Sequence, residues 1–225
     1  MLELLQVGHC YHPEAVVKSN ASLKLTKFPS VVGLIKLPKH GYMLFDTGYA
    51  ERFNQVTEQF PNRLFRMVTP MTLASENSLI CQLANRNIGV EDIHYIYVSH
   101  FHADHIAGLK DFPKATIICS KLALDAALNL KGIRGLVKGY LDELLPIDLV
   151  SRVSFIEDAK VCKLDNKYAP FQLSYDLFND GGCLAIELPG HALGHYGLLL
   201  PMENDIPFLI GDSCWTEDAY KRGCK

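Results

Sequence analysis

Short apolar runs broken by Gly and Pro recur along the chain, and their lengths set the predicted elements. Runs rich in β-branched and aromatic residues predict strands at 2–7, 31–37, 42–46, 94–99, 115–119, 183–188, 196–200 and 208–212. Helices are predicted at 79–87 and 121–129, with a shorter one at 105–109. The alternation of strands and helices by itself predicts a mixed α/β domain. No internal repeat and no low-complexity linker interrupts it. Two stretches depart from the alternation. Residues 51–77 carry Phe53, Phe60, Phe65, Met67 and Met71 between polar residues, and 131–167 opens on the run from Gly132 to Leu141. Each can pack onto outer helices or cover a cleft as an insertion, and both readings stay open.

Composition narrows the class. A chain of 225 residues with 48% hydrophobic content can bury a sizeable core as one domain. A net charge of −3 without a long basic run speaks against nucleic acid as a partner. Seven cysteines, odd in number and without CxxC spacing, lie mostly in apolar runs, which fits a reducing, cytoplasmic setting. The N-terminus lacks a basic, then apolar, leader pattern, and no run approaches the ~20 apolar residues of a membrane span.

The chemistry concentrates after the strand predicted at 94–99. His100-Phe101-His102-Ala103-Asp104-His105 places three imidazoles and a carboxylate within six residues. Neutral imidazole and carboxylate are ligands for zinc and its first-row neighbours, and a strand end is a rigid place to mount them. His9 and His12 flank Cys10 without further ligand types around them, so they read as ordinary histidines.

This segment resembles the signature of the metallo-β-lactamase fold superfamily. Three more stretches fit the pattern in order: Leu44-Phe45-Asp46-Thr47-Gly48, then Pro189-Gly190-His191-Ala192-Leu193-Gly194-His195, then Ile210-Gly211-Asp212. The resemblance implies an αββα sandwich, two packed mixed β-sheets with helices outside. It implies a first metal site of His100, His102 and His191, a second drawing on Asp104 and His105, and Asp212 bridging both. Two divalent ions, zinc with iron or manganese as alternatives, are the implied cofactors. Asp46 is implied as a hydrogen-bonding support, against the plainer reading of a turn-capping Asp. His195 has ligand and supporting readings, and the pattern favours support through a structural hydrogen bond. Two-metal members usually carry one more histidine beyond the bridging aspartate. None follows His195 here, so the resemblance implies either a chain short of the fold's last strand and helix or a depleted second site, and in both cases a weakly held second ion.

Within the superfamily the chain resembles the N-acyl homoserine lactonase-like group. That implies hydrolysis of a lactone or other ester bond of a small molecule, by attack of a hydroxide bridging the metals, with Asp104 and Asp212 as catalytic carboxylates. Where that group has a substrate-contacting tyrosine, this chain has Trp215, an indole donor without phenolic acidity. A hydroxyacylglutathione-type thioester hydrolase, a mononuclear iron persulfide dioxygenase and a non-catalytic metal-binding scaffold are the competing readings. Oligomeric state is not legible from the sequence.

Overall fold

The computed structural model describes residues 1–13, 15, 24–203 and 205–215. Its strands fall into two sheets. The first contains β1 (Leu2–Pro13), β2 (Leu25–Leu37), β3 (Gly41–Phe45), β4 (Met71–Thr72), β5 (Ile93–Tyr97), β6 (Thr116–Cys119) and β7 (Val153–Phe155). Their order is β4-β1-β2-β3-β5-β6-β7. The β1–β3 meander is antiparallel, whereas β3, β5, β6 and β7 pair parallel. The second sheet, β12-β11-β10-β9-β8, is antiparallel throughout its described pairs. It comprises β8 (Lys160–Lys163), β9 (Leu173–Asp176), β10 (Leu184–Glu187), β11 (Tyr196–Leu199) and β12 (Phe208–Leu209). One mixed and one antiparallel sheet thus replace the two mixed sheets expected.

Alternation along these strands sorts the apolar residues into layers. In β3, Met43 and Phe45 face the second sheet while Leu44 faces the helices. In β6, Ile118 faces inward to the sandwich, while Ile117 and Cys119 point to the helical side. Ala185 and Leu198 answer from the second sheet. Tyr97 is fully buried between the sheets, and its hydroxyl donates to the Gly197 carbonyl at 3.0 Å. That bond satisfies the one polar atom the phenol brings into the core.

The helices are α1 (Arg52–Val56), α2 (Arg63–Val68), α3 (Leu79–Ala84), α4 (Ala103–Ile106), α5 (Lys121–Asn129) and α6 (Gly132–Leu136). Helix α5 matches its sequence pattern: Ser120 caps it by accepting from the Ala123 N–H at 3.0 Å, and Ala123, Leu124, Ala126 and Ala127 are buried. Helix α3 stops three residues early, and Asn87 follows with φ +57°, a left-handed residue that ends the run. Strand β1 runs six residues past the predicted 2–7 because pairing with β2 resumes after an irregularity between Gln6 and His9. The strand expected at 208–212 ends at Leu209. Gly211, at φ +52°, turns the chain there, so Asp212 leaves the sheet.

Candidate metal centre

The ends of β3 and β5 build the site. Asp46 ends β3 with φ +61°, and its backbone N–H donates to the Tyr97 carbonyl at 2.8 Å. Its carboxylate is buried and accepts from the Ser99 N–H at 2.8 Å, the Ser99 hydroxyl at 2.8 Å and His105 Nδ1 at 2.7 Å. Thr47 clamps the next turn: its N–H and hydroxyl both donate to the His105 carbonyl at 2.8 Å, and its Oγ1 accepts from the Gly108 N–H at 3.1 Å. Gly48 is needed beside it. At φ +67°, a Cβ would lie 2.6 Å from Val7 Cβ. The Asp-Thr-Gly segment therefore fixes α4, and α4 carries Asp104 and His105.

Five imidazoles converge beyond this frame. His100 is fully buried, with four other imidazole centroids 4.1 to 5.0 Å from its own. Its Nδ1 pairs with the Ser99 hydroxyl at 3.0 Å, yet its Nε2 has no hydrogen-bond partner among the described residues. A buried nitrogen aimed into a cluster of ligand atoms without a partner is costly unless something with a positive charge meets it. His102 Nδ1 lies 3.0 Å from His191 Nε2. Gly139, at φ +82°, packs so closely on the His102 ring that a Cβ would lie 2.9 Å from it. Asp212 Oδ1 lies 3.1 Å from His105 Nε2 and Asp212 Oδ2 3.3 Å from His191 Nε2.

Two sets of mutually close donor atoms result: His100, His102 and His191, and His100, His105 and Asp212. Asp104 stands just outside both, 3.5 Å from His105 Nε2. This donor chemistry fits divalent first-row ions, and His100 Nε2 fits a ligand atom. His195 is brought beside His100 but makes no hydrogen bond to a described residue through either ring nitrogen, where a structural bond was expected of it. The Ser99 hydroxyl, packed nearby, is already committed to Asp46 and His100. Trp215 sits 5.9 Å from the His191 ring and 5.5 Å from Phe28.

Sequence reasoning missed Ser99, which joins Asp46 to His100, although a hydroxyl at the strand end just before the first histidine was its signal. It also missed Tyr49, Cys10 and Tyr140, which line a cavity of about 650 Å³ with His102, Asp104 and Asp212. Phe65 from 51–77 and Val137 from 131–167 also wall that cavity.

Charge follows from burial. Burial drives His100 well below the usual imidazole range, and the surrounding imidazoles add to it. Burial, then the His191 charge, takes His102 down to about 3, and burial takes His195 to about 4. Burial also depresses His105, but Asp104, Asp212 and Asp46 outweigh it and raise this ring well above its ordinary value. Burial pushes Asp104 up to about 6. It acts the same way on Asp212, where the charge and hydrogen bond of His105 prevail and hold the carboxyl below the usual range.

A pH dependence of stability follows for chelator-treated protein. An unfolded imidazole takes its proton near 6.5, whereas His195 refuses it until about 4 and His102 until about 3. Depressed folded values mean this stability is complete above 6.5 and falls as pH drops from 6.5 toward 4. Asp104 opposes with one proton below about 6, and His105 is charged in both states over this window. The melting temperature should therefore decline from pH 6.5 to pH 4. A flat or rising profile would show that these rings are solvated.

A family model for the metallo-beta-lactamase superfamily matches residues 25–197. The chain belongs to the metallo-beta-lactamase superfamily. N-acyl homoserine lactonase AttM of Rhizobium radiobacter is 27% identical over 150 residues, 66% of this chain and 52% of that protein. N-acyl homoserine lactonase AiiB of Rhizobium rhizogenes is 23% identical over 229 residues, 97% of this chain and 79% of that protein. The chain thus spans about half the length of the AttM relatives. A solved N-acyl homoserine lactone hydrolase with N-hexanoyl-L-homoserine at its catalytic metal centre superposes with a TM-score of 0.77 at 22% identity. That match covers 98% of this chain and 78% of the other. The dizinc quorum-quenching lactonase AidC gives a TM-score of 0.60 at 19% identity, covering 92% and 69%. These likenesses establish the αββα fold of the superfamily.

Proposed function

We propose that this superfamily member is a metal-dependent hydrolase that opens a lactone or cleaves another ester bond of a small molecule. The observation that carries the reading is the pair of donor sets that share His100, whose members His102, His191 and Asp212 line one cavity together with Asp104. The lactonase activity of the AttM and AiiB relatives supports the choice of bond.

In this reading His100, His102 and His191 would hold one ion. His105 and Asp212 would hold a second with Asp104 beside them, and Asp212 also lies 3.3 Å from His191. Zinc, iron and manganese all suit these donors. When bound, such ions supply Lewis acidity that makes water a nucleophile near neutral pH and polarises a carbonyl. The rest falls to the chain. His100 and His102 are neutral at pH 7 because they are buried, so their lone pairs are available without releasing a proton. Asp46 accepts from His105 Nδ1 and turns Nε2 toward Asp212. Asp104, which lines the cavity 3.5 Å from His105 Nε2, is placed to take the proton of an attacking water and return it to the departing alkoxide oxygen. Phe65, Val137 and Trp215 give the substrate an apolar wall.

The test pairs metal content with turnover of acyl homoserine lactones, simple esters and thioesters. Metal-dependent lactone or ester hydrolysis is expected, and Asp104→Asn should lower kcat by roughly 10²–10⁴-fold with little change in KM. Preference for thioesters would move the assignment to the hydroxyacylglutathione-type reaction. One firmly held iron with oxygen consumption, or no turnover at all, would overturn the hydrolase.

A further inference from the structure

The groups gathered at the metal centre are rich in lone pairs and poor in donors. His100, His102 and His191 offer ring nitrogens, and Asp104 and Asp212 offer carboxylates. Attack on an ester leaves negative charge on the carbonyl oxygen. A fixed O–H or N–H aimed at that oxygen stabilises the charged state more than the neutral ester. Tyr49 brings such a group into the same cavity.

The fold holds this phenol rigidly. Tyr49 follows the Asp46-Thr47-Gly48 turn, and its backbone N–H donates to the Val7 carbonyl at 3.2 Å. The residue is buried, and the Phe53 ring meets it edge-on with centroids 5.2 Å apart. Gly8 of β1, at φ +80°, packs so closely that a Cβ there would lie 3.2 Å from Tyr49 Cβ and 3.3 Å from its Cδ2. Such packing locks the rotamer. A buried phenol ordinarily finds a strong acceptor, as Tyr97 does at the Gly197 carbonyl. The Tyr49 hydroxyl donates instead to the Cys10 thiol, a weak acceptor. A donor resting on a weak partner moves to a stronger acceptor at little cost.

Cys10 marks where that hydroxyl stands. Cys10, Asp104 and Asp212 line both the cavity of about 650 Å³ and a second one of about 350 Å³, so the thiol lies with these carboxylates on the wall common to both spaces. Burial, then the Asp104 charge, push the thiol up to about 11, and the same two causes raise the Tyr49 phenol well above its ordinary value. The phenol therefore keeps its proton near neutral pH. Tyr140, another phenol on the cavity, stands apart: its ring meets His102 edge-on at 5.5 Å, and burial is what raises it.

We infer that Tyr49 is a catalytic hydrogen-bond donor: its hydroxyl leaves Cys10 and donates to the carbonyl oxygen of the ester under attack as that oxygen gains charge. The proton stays on the phenol throughout, so Tyr49 makes and breaks no covalent bond. The inference rests on the hydrolase reading of the site and adds a residue outside its ligands and carboxylates.

The test compares Tyr49→Phe and Cys10→Ala with the parent, each as the zinc-loaded full chain. Tyr49→Phe removes the hydroxyl and keeps the ring, so metal content and melting temperature should stay close to the parent's. On an ester or lactone that the parent hydrolyses, its kcat should fall roughly 10–100-fold, the worth of a hydrogen bond to a charged oxygen, at nearly unchanged KM. Cys10→Ala removes the resting acceptor and keeps the phenol, so it should lose far less of kcat. Equal losses in the two variants would mark the pair as a structural contact and overturn the role. Hexylphosphonate gives a readout without turnover, because its tetrahedral anionic oxygens resemble the attacked ester. Calorimetry should show it binding Tyr49→Phe roughly 10–100-fold more weakly than the parent. Parental kcat or parental phosphonate affinity in Tyr49→Phe overturns the inference and leaves the hydrolase reading standing. A parent that neither hydrolyses an ester nor binds the phosphonate overturns the hydrolase reading, and this inference with it.

Discussion

His102→Ala is expected to abolish tight metal binding at the three-histidine set and, with it, turnover. His102 Nδ1 stands 3.0 Å from His191 Nε2, so the two rings already converge on one point. Its ring is held from behind by Gly139 and edge-on by Tyr140, whose centroid is 5.5 Å away. That packing fixes the direction of the lone pair before any ion arrives, which is where an open three-ligand site gains its affinity. Alanine leaves two imidazoles, so affinity should fall by more than the roughly 10–100-fold that loss of an outer hydrogen-bond partner costs. Elemental analysis after dialysis reads the metal, and lactone hydrolysis reads the consequence. His102 follows β5 at a partly exposed position and makes no buried hydrogen bond to the frame, so the apoprotein should melt close to the chelated parent. Full metal content and full activity in this variant would remove the three-histidine site from the mechanism.

The site was far more legible in the sequence than the sheet that frames its far side. Every first-half feature rests on local rules: β5 ends at Tyr97, and Ser99, His100 and His102 all follow within five residues of that rigid end. Strands β8 and β9 carry no such signature. Lys160–Lys163 is half polar and mostly exposed, and in β9 Leu173 is exposed while Ser174 is fully buried, so the period of two runs opposite to hydropathy. Their pairing with β10 fixes them, a tertiary effect that single-sequence patterning does not carry. The short helices α1, α2 and α6 were missed for a related reason. Five or six residues are too few to show a helical period, and α2 exposes the apolar face that would have revealed one. His195 failed differently: its spacing from His191 suggested a bonded support, whereas the Gly211 turn brings backbone against its ring, with Nε2 2.7 Å from where a Cβ would stand.

Asp46→Asn is the second large effect, and it separates the supporting role of this carboxylate from a turn cap. Asparagine tolerates the left-handed backbone at φ +61° and keeps the volume, so the turn itself survives. What changes is the direction of hydrogen bonding. The carboxylate accepts three times, once at Oδ1 from the Ser99 N–H and twice at Oδ2 from the Ser99 hydroxyl and His105. An amide that keeps its oxygen on the Ser99 N–H presents its NH₂ to His105 Nδ1. That ring must then accept at Nδ1 and carry its proton on Nε2, the nitrogen 3.1 Å from Asp212. A protonated Nε2 has no lone pair for a cation. The opposite amide orientation sets NH₂ against the Ser99 N–H and leaves a buried donor unpaired, at a cost of about 1–3 kcal/mol. Either way the His105 and Asp212 set should lose roughly 10–100-fold in affinity, while the set of His100, His102 and His191 is affected only through the Ser99 hydroxyl. The expected result is a fall in metal stoichiometry from two toward one, with a modest loss of melting temperature. A turn cap predicts neither, because asparagine caps a turn as well as aspartate does; two ions retained at parental affinity would therefore return Asp46 to that simpler role.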